Sequence, residues 1–246
     1  MSVKNTLVAE KYLLIQKIGQ GSFGKVYSAR DLDNQNQMVA IKTESLSQTF
    51  SQLLKEVQNF KALEGIGFPP LLNQGISVEN QFIYMVTRLL GPSLEDLFNL
   101  CGQKFTLKTT LMVFYQLLER IEWMHSKFYI HRDIKPDNIM MGLAETSNIV
   151  HMIDFGLTRL VIDPKTGKHI PLATGKNLIG TCRYVSVNSH KGLELSRRDD
   201  LITLGYVILN LYKGSLPWQS IQADKPSARY RRVGKVKAET SNTSLC

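Results

Sequence analysis

The residue order predicts an α+β chain of two lobes, a small β-rich lobe followed by a larger, mainly helical one. Three observations carry this reading. Up to residue 87 the apolar residues recur mostly in short alternating runs broken by glycine or polar turns, the pattern of strands. Gly91-Pro92 then stops that pattern. Beyond it, apolar residues fall at three- and four-residue spacing, the period of helices. The first lobe is placed at residues 1–87, with five strands and one helix, and the second at 88–246, with a basic tail from about residue 220.

Residues 12–18 read as a strand until Gly19-Gln20-Gly21-Ser22-Phe23-Gly24 interrupts it, and alternation resumes over 25–30. The same glycine spacing opens dinucleotide-binding folds, but there a helix follows it. Strand pattern follows here, so the string reads as a hairpin lid. Glycines let backbone N–H groups approach phosphate oxygens with no Cβ in the way. Residues 38–42 form a third strand ending in Lys42, placed to reach such phosphates. An amphipathic helix follows over 50–63, with Phe50, Leu53, Leu54, Val57, Phe60 and Leu63 on one side. Its Glu56 is the ion-pair candidate for Lys42. Strands at 71–75 and 81–87 complete the sheet.

After Gly91-Pro92, Ser93 and Asp96 form a capping box that opens a helix, although the same two side chains could also face a ribose. Residues 107–125 make a long helix with Leu111, Phe114, Leu118, Ile121 and His125 as its buried stripe. Residues 201–212 are the longest apolar run, too short to span a bilayer and interrupted by Gly205 and Asn210. They read as a buried helix, with Leu201, Leu204, Val207, Ile208 and Leu211 apolar nearly all round.

With 43% hydrophobic and 21% charged residues, the composition is that of an ordinary globular protein. An excess of 30 Lys+Arg over 21 Asp+Glu gives +9, which points to anionic partners: nucleotide, acidic or phosphorylated peptide, or nucleic acid. No motif supports the last. Three cysteines without paired or metal-ligand spacing fit a reducing compartment, and five scattered histidines give no reason to expect zinc. Residues 1–10 lack the apolar core of a signal peptide. The expectation is a cytoplasmic or nuclear protein without a membrane span.

Two strings hold the densest chemistry. One is Ile130-His131-Arg132-Asp133-Ile134-Lys135-Pro136-Asp137-Asn138, and the other, 21 residues after Asp133, is Asp154-Phe155-Gly156. With the glycine string, Lys42 and Glu56 upstream, the set resembles the catalytic machinery of protein kinases. Finer strings resemble casein kinase 1. They are Leu89-Leu90-Gly91-Pro92-Ser93-Leu94-Glu95-Asp96-Leu97-Phe98, Lys176-Asn177-Leu178-Ile179-Gly180-Thr181-Cys182-Arg183-Tyr184, and Ser196-Arg197-Arg198-Asp199-Asp200-Leu201 through Gly214-Ser215-Leu216-Pro217-Trp218-Gln219. Ser186-Val187-Asn188, where most kinases carry Ala-Pro-Glu, is a further likeness to that family. The resemblance covers about residues 12–233.

The resemblance implies the bilobal protein kinase fold and an ATP- and Mg²⁺-dependent Ser/Thr protein kinase. Its substrates would be acidic or already phosphorylated proteins. Asp133 would take the hydroxyl proton, Lys135 would supply fixed positive charge, and Asn138 with Asp154 would hold Mg²⁺. Lys42 and Glu56 would align the phosphates, Thr181 would orient Asp133 and Lys135, and Asp200 would brace the catalytic loop. ATP would lie against Ile18, Gly19, Gln20, Gly21, Ser22, Phe23, Gly24, Val26, Ala40, Lys42, Thr87, Leu89, Leu90, Ser93 and Asp96. Arg183, Lys176 and Arg229 would bind a substrate's phosphate. The chain departs from the family at Arg88 and Thr87 in the hinge, at Leu172-Ala173-Thr174-Gly175, at Ile202, and above all near its end. There the last family helices are not matched, so the helix at 201–212 is expected to leave one face for solvent or a partner. A kinase-like binding module of weak or no activity is the alternative, since it would share every catalytic string.

Overall fold

The computed structural model describes residues 6–21, 24–48 and 50–245. Ser22 and Phe23 of the expected lid lie outside the described residues. The chain divides into two compact units, Met1–Gly91 with Met141–Gly156, and Pro92–Met140 with Leu157–Cys246.

The first unit is built on an antiparallel sheet of β1 (Leu7–Val8), β2 (Tyr12–Gly21), β3 (Gly24–Asp31), β4 (Gln37–Ser45), β5 (Leu71–Ser77) and β6 (Phe82–Arg88). Their order is β1-β2-β3-β4-β6-β5, six strands where the sequence predicts five. The addition is β1, which pairs with Leu13 and Tyr12 and is too short to show a period. Paired residues share a face. Tyr27, Ile41 and Val86 form one such row, and with Val8, Tyr12, Leu14, Ala29, Val39 and Tyr84 they make a buried core. The alternate positions face the other way: Val26 lies opposite Gly19 and Lys42, and Ala40 opposite Thr87.

Helix α1 (Gln52–Ala62) buries Leu53, Val57 and Phe60. Its amide ends are capped from two sides. Ser51 Oγ accepts from Leu54 N, and the buried Glu44 carboxylate accepts from Gln52 N at 3.2 Å and Leu53 N at 2.6 Å. The returning segment is tied in by Met152 N, which donates to Gly67 O at 2.9 Å.

The second unit contains α2 (Leu94–Leu100), α3 (Leu107–Ser126), α4 (Val187–His190), α5 (Arg197–Lys213) and α6 (Pro226–Glu239). Ser93 and Asp96 form the expected capping box at α2. Helix α3 forms over the expected residues, but its buried stripe is Thr110, Val113, Leu117, Arg120, Ile121 and Met124. Leu111, Met112, Tyr115 and Leu118 are exposed instead. The helix is apolar on several sides, so two adjacent stripes fit the period and only packing against α5 chooses between them.

Helix α5 buries Leu204, Val207 and Leu211 together with the polar Asp199, Asp200, Thr203 and Asn210, and leaves Leu201, Ile202 and Tyr212 exposed. It ends at Gly214, whose left-handed φ of +88° suits a residue without a Cβ. Much of the expected basic tail is a regular helix, α6, which starts on Pro226 and buries Val233, Gly234 and Lys237. Among the described residues, no helix is long and apolar enough to cross a membrane.

Candidate active site

In the sheet unit, alternation along β4 sends Lys42 and Glu44 to the same face. Glu44 holds the start of α1, and one turn further Glu56 meets Lys42: Nζ to Oε2 is 2.7 Å. Asp154 Oδ1 stands 3.1 Å from the same ammonium. Asp154 occupies a left-handed backbone conformation at φ +62°, which aspartate tolerates better than most residues. The next residue, Phe155, is fully buried, packs edge-on against Phe60 at 4.7 Å, and accepts from Asn59 Nδ2 at 2.8 Å. Helix α1 therefore supplies Glu56 to Lys42 and also anchors the residue beside Asp154.

Burial works against the Lys42 ammonium, but the carboxylates of Glu56 and Asp154 outweigh it and raise its proton affinity. Burial pushes the Glu56 carboxyl up, Lys42 pulls it back, and Asp154 adds to the rise. A bound cation beside Asp154 would relieve that crowding of negative charge.

Gly19, Val26, Ala40 and Thr87 lie on the sheet face that carries Lys42. Ile18 is exposed, Gln20 accepts from Lys17, and Thr87 is buried. Leu89 and Leu90 are half-buried just after β6. A Cβ at Gly24 would collide with the carbonyl of Thr43, so the protein's own backbone demands this glycine. At Gly21 no described atom lies within 4 Å of where a Cβ would sit. Packing does not require Gly21, and its open approach fits a phosphate ligand.

The helical unit assembles the other string. Thr181 Oγ1 donates to Asp133 Oδ1 at 2.8 Å, and Lys135 Nζ lies 3.3 Å from Oδ2. Asn138 Nδ2 donates to the Asp133 carbonyl at 2.9 Å and to its Oδ2 at 3.3 Å. With its amide nitrogen so engaged, Asn138 presents its oxygen as an acceptor, the donor type magnesium takes. Below the loop, Asp200 accepts from the backbone of His131 at 2.8 Å and of Arg132 at 3.0 Å, and His125 Nε2 lies 3.0 Å from it. Arg132, at φ +70°, ties back to Leu157 O through Nε at 2.7 Å.

The match of the chain to the protein kinase domain model, over residues 12–244, decides what these two groups of residues belong to. The chain belongs to the protein kinase family. Its mixed architecture, a β-sheet N-terminal region with a helical C-terminal portion, is that of a kinase domain.

In this kinase, Ser93 and Asp96 spend their side chains on one another, with Ser93 Oγ donating to Asp96 Oδ2 at 2.6 Å. The three expected anion-binding residues have separate partners. Lys176 lies 3.3 Å from Glu194, which also holds Arg159 at 2.6 Å. Arg183 donates to the Tyr184 hydroxyl at 3.3 Å, and Arg229 donates to the Ile221 carbonyl at 3.0 Å. Burial and Asp137 raise the Glu95 carboxyl, while the Arg183 guanidinium pulls it back. Glu44, Asn59 and Lys237 were missed in the sequence. Only Glu44 had a signal there, two residues beyond Lys42 on the same strand.

Proposed function

We propose that the chain is a Ser/Thr protein kinase of casein kinase 1 type, transferring the ATP γ-phosphoryl group to acidic or pre-phosphorylated protein substrates. The observation that carries this reading is the Thr181 hydroxyl on Asp133, with Lys135 on the other carboxylate oxygen. Asp133 is thereby aimed, positioned to accept the proton of a substrate hydroxyl. Lys135 neutralises charge developing on the transferred group. Lys42, fixed by Glu56, holds the ATP phosphates, and Gly19 and Gly21 let the lid backbone approach them. Asp154 and Asn138 would each offer an oxygen ligand to Mg²⁺, which when bound would offset the charge of the triphosphate. Most of the rate enhancement then comes from positioning and fixed charge.

Arg183, Lys176 and Arg229 would receive a priming phosphate by exchanging their present partners for it. The test is a Ser peptide phosphorylated three residues before its target, compared with its unphosphorylated twin and a Tyr version. The primed peptide should be fastest, its advantage should shrink with salt, and Arg183→Ala should remove most of it. Equal rates for primed and unprimed peptides at low salt would remove the anion site, and transfer to Tyr would remove the Ser/Thr reading.

The exposed Leu111, Met112 and Tyr115 of α3 and Leu201 and Ile202 of α5 favour a second reading, a kinase-like binding module of weak activity. Absence of phosphoryl transfer by the purified chain with Mg-ATP would select it.

A further inference from the structure

Lys237 of α6 is one of the least exposed charged side chains described, at 3%. Among the described residues no carboxylate lies within ion-pair distance of it. Its ammonium donates to the carbonyls of Cys182 at 2.9 Å and Val185 at 2.6 Å. It also sits 5.1 Å from the ring centres of both Tyr206 and Trp218. A buried cation without a counter-ion is costly, and here two carbonyl dipoles and two aromatic faces offset the cost.

The cage closes around a turn that carries part of the active site. Tyr184 N and Val185 N both donate to Thr181 O, at 2.8 and 3.1 Å, so residues 181–185 form one helical turn. Three carbonyls of this turn are taken from outside: Lys237 holds those of Cys182 and Val185, and Trp218 Nε1 donates to that of Arg183 at 2.8 Å. The first residue of the turn is Thr181, whose hydroxyl meets Asp133. We propose that Lys237 is a positioning residue, the cation that locks the 181–185 turn so that Thr181 stays on Asp133. The inference rests on reading Asp133 as the proton acceptor.

The titratable groups that face Lys237 are the Cys182 thiol of the turn, His190 of α4 and Tyr206 of α5. Burial brings Lys237 down to about 7, with Cys182 acting weakly the other way. Near neutral pH the ammonium therefore starts to lose its proton. A neutral amine keeps two donors but loses the cation–π contact and charge assistance. Charge-assisted bonds are roughly twice as strong as neutral ones, so the expected loss of kcat is about threefold to tenfold.

The experiment uses the full chain with an acidic Ser peptide. Lys237→Met should lower kcat about tenfold or more with KM for ATP nearly unchanged, and should speed hydrogen exchange of the 181–185 amides while leaving β2 to β6 protected. In the wild type, kcat should decline as pH rises through about 7. Lys237→Arg keeps a cation that does not titrate, so its profile should lack that decline, and this arm remains informative if the Met variant fails to fold. Exchange at 181–185 needs no catalysis, so an inactive wild type would remove the kinase reading while a loosened turn in the Met variant would still support the lock. Unchanged exchange at 181–185 in that variant, unchanged kcat, or a decline near pH 7 that persists in the Arg variant would each overturn the proposal.

Discussion

In the sheet unit Lys42 is fixed by charge, 2.7 Å from Glu56 and 3.1 Å from Asp154. In the helical unit Asp133 is fixed mainly by hydrogen bonds: it accepts from Thr181 and Asn138, its backbone N–H donates to His131 Nδ1, and Lys135 is a charged neighbour at 3.3 Å. The difference follows the work proposed for each. Lys42 has to stay charged while a triphosphate arrives, and paired carboxylates favour its charged form. Asp133 has to point at an incoming hydroxyl, and hydrogen bonds fix the direction of a carboxylate better than charge alone does. Charge therefore holds the binding group, and directional bonds aim the reacting one.

The most severe way to break this comparison is Asp133→Asn. It should cut phosphoryl transfer about 10²- to 10⁴-fold, the range of general-base catalysis, and leave ATP affinity nearly unchanged. Nucleotide titration beside a transfer assay checks both halves. If ATP affinity falls together with rate, Asp133 belongs to nucleotide binding.

Next in size, Glu56→Ala leaves the largely buried Lys42 with one carboxylate. Removing one partner of such a pair costs about 3–5 kcal/mol, so denaturant unfolding should show a loss of that order, with weaker ATP binding. A variant as stable as the wild type would mean that solvent, and not Glu56, satisfies the ammonium.

The stripe on α3 sharpens the contrast between neighbouring residues of one helix. Leu117 is fully buried, so Leu117→Ala should cost about 2–5 kcal/mol. Leu118, at 36% exposure, should cost within about 0.5 kcal/mol. Comparable losses from the two would reverse the helix orientation given above.

The smallest expected effect is acid sensitivity confined to the helical unit. Burial, aided by Lys237, lowers His190 from 6.5 to about 4. Between those values the unfolded chain binds a proton that the folded ring refuses. Stability is thus intact above about 6.5 and is lost as pH falls towards 4. Each pH step costs at most about 1.4 kcal/mol, and solvent reaching this half-buried ring brings the total to about 2 kcal/mol. His190→Gln should lack this part of the pH profile. An identical profile in both proteins would place the acid sensitivity elsewhere.

Local chemistry explains what could be read without coordinates. Asp133 and Asn138 are five residues apart and close on each other through one short turn, so their string carries its own geometry. Lys42 closes the strand predicted at 38–42 and Glu56 lies within the helix predicted after it, so the pair could be named from the string of motifs alone. The sequence by itself therefore determined the main strands and helices, membership of the protein kinase family and which residues to propose for the site. Tertiary structure decided what periodicity leaves open. A helix apolar on several sides has no unique buried stripe until α5 packs against α3. The pair Leu7-Val8 becomes a strand only because β2 offers an edge. Lys237 reads in sequence as one more cation in a basic tail. It becomes a buried lock only when α6 brings it to two carbonyls and two rings distant in the chain, contacts that no local pattern encodes.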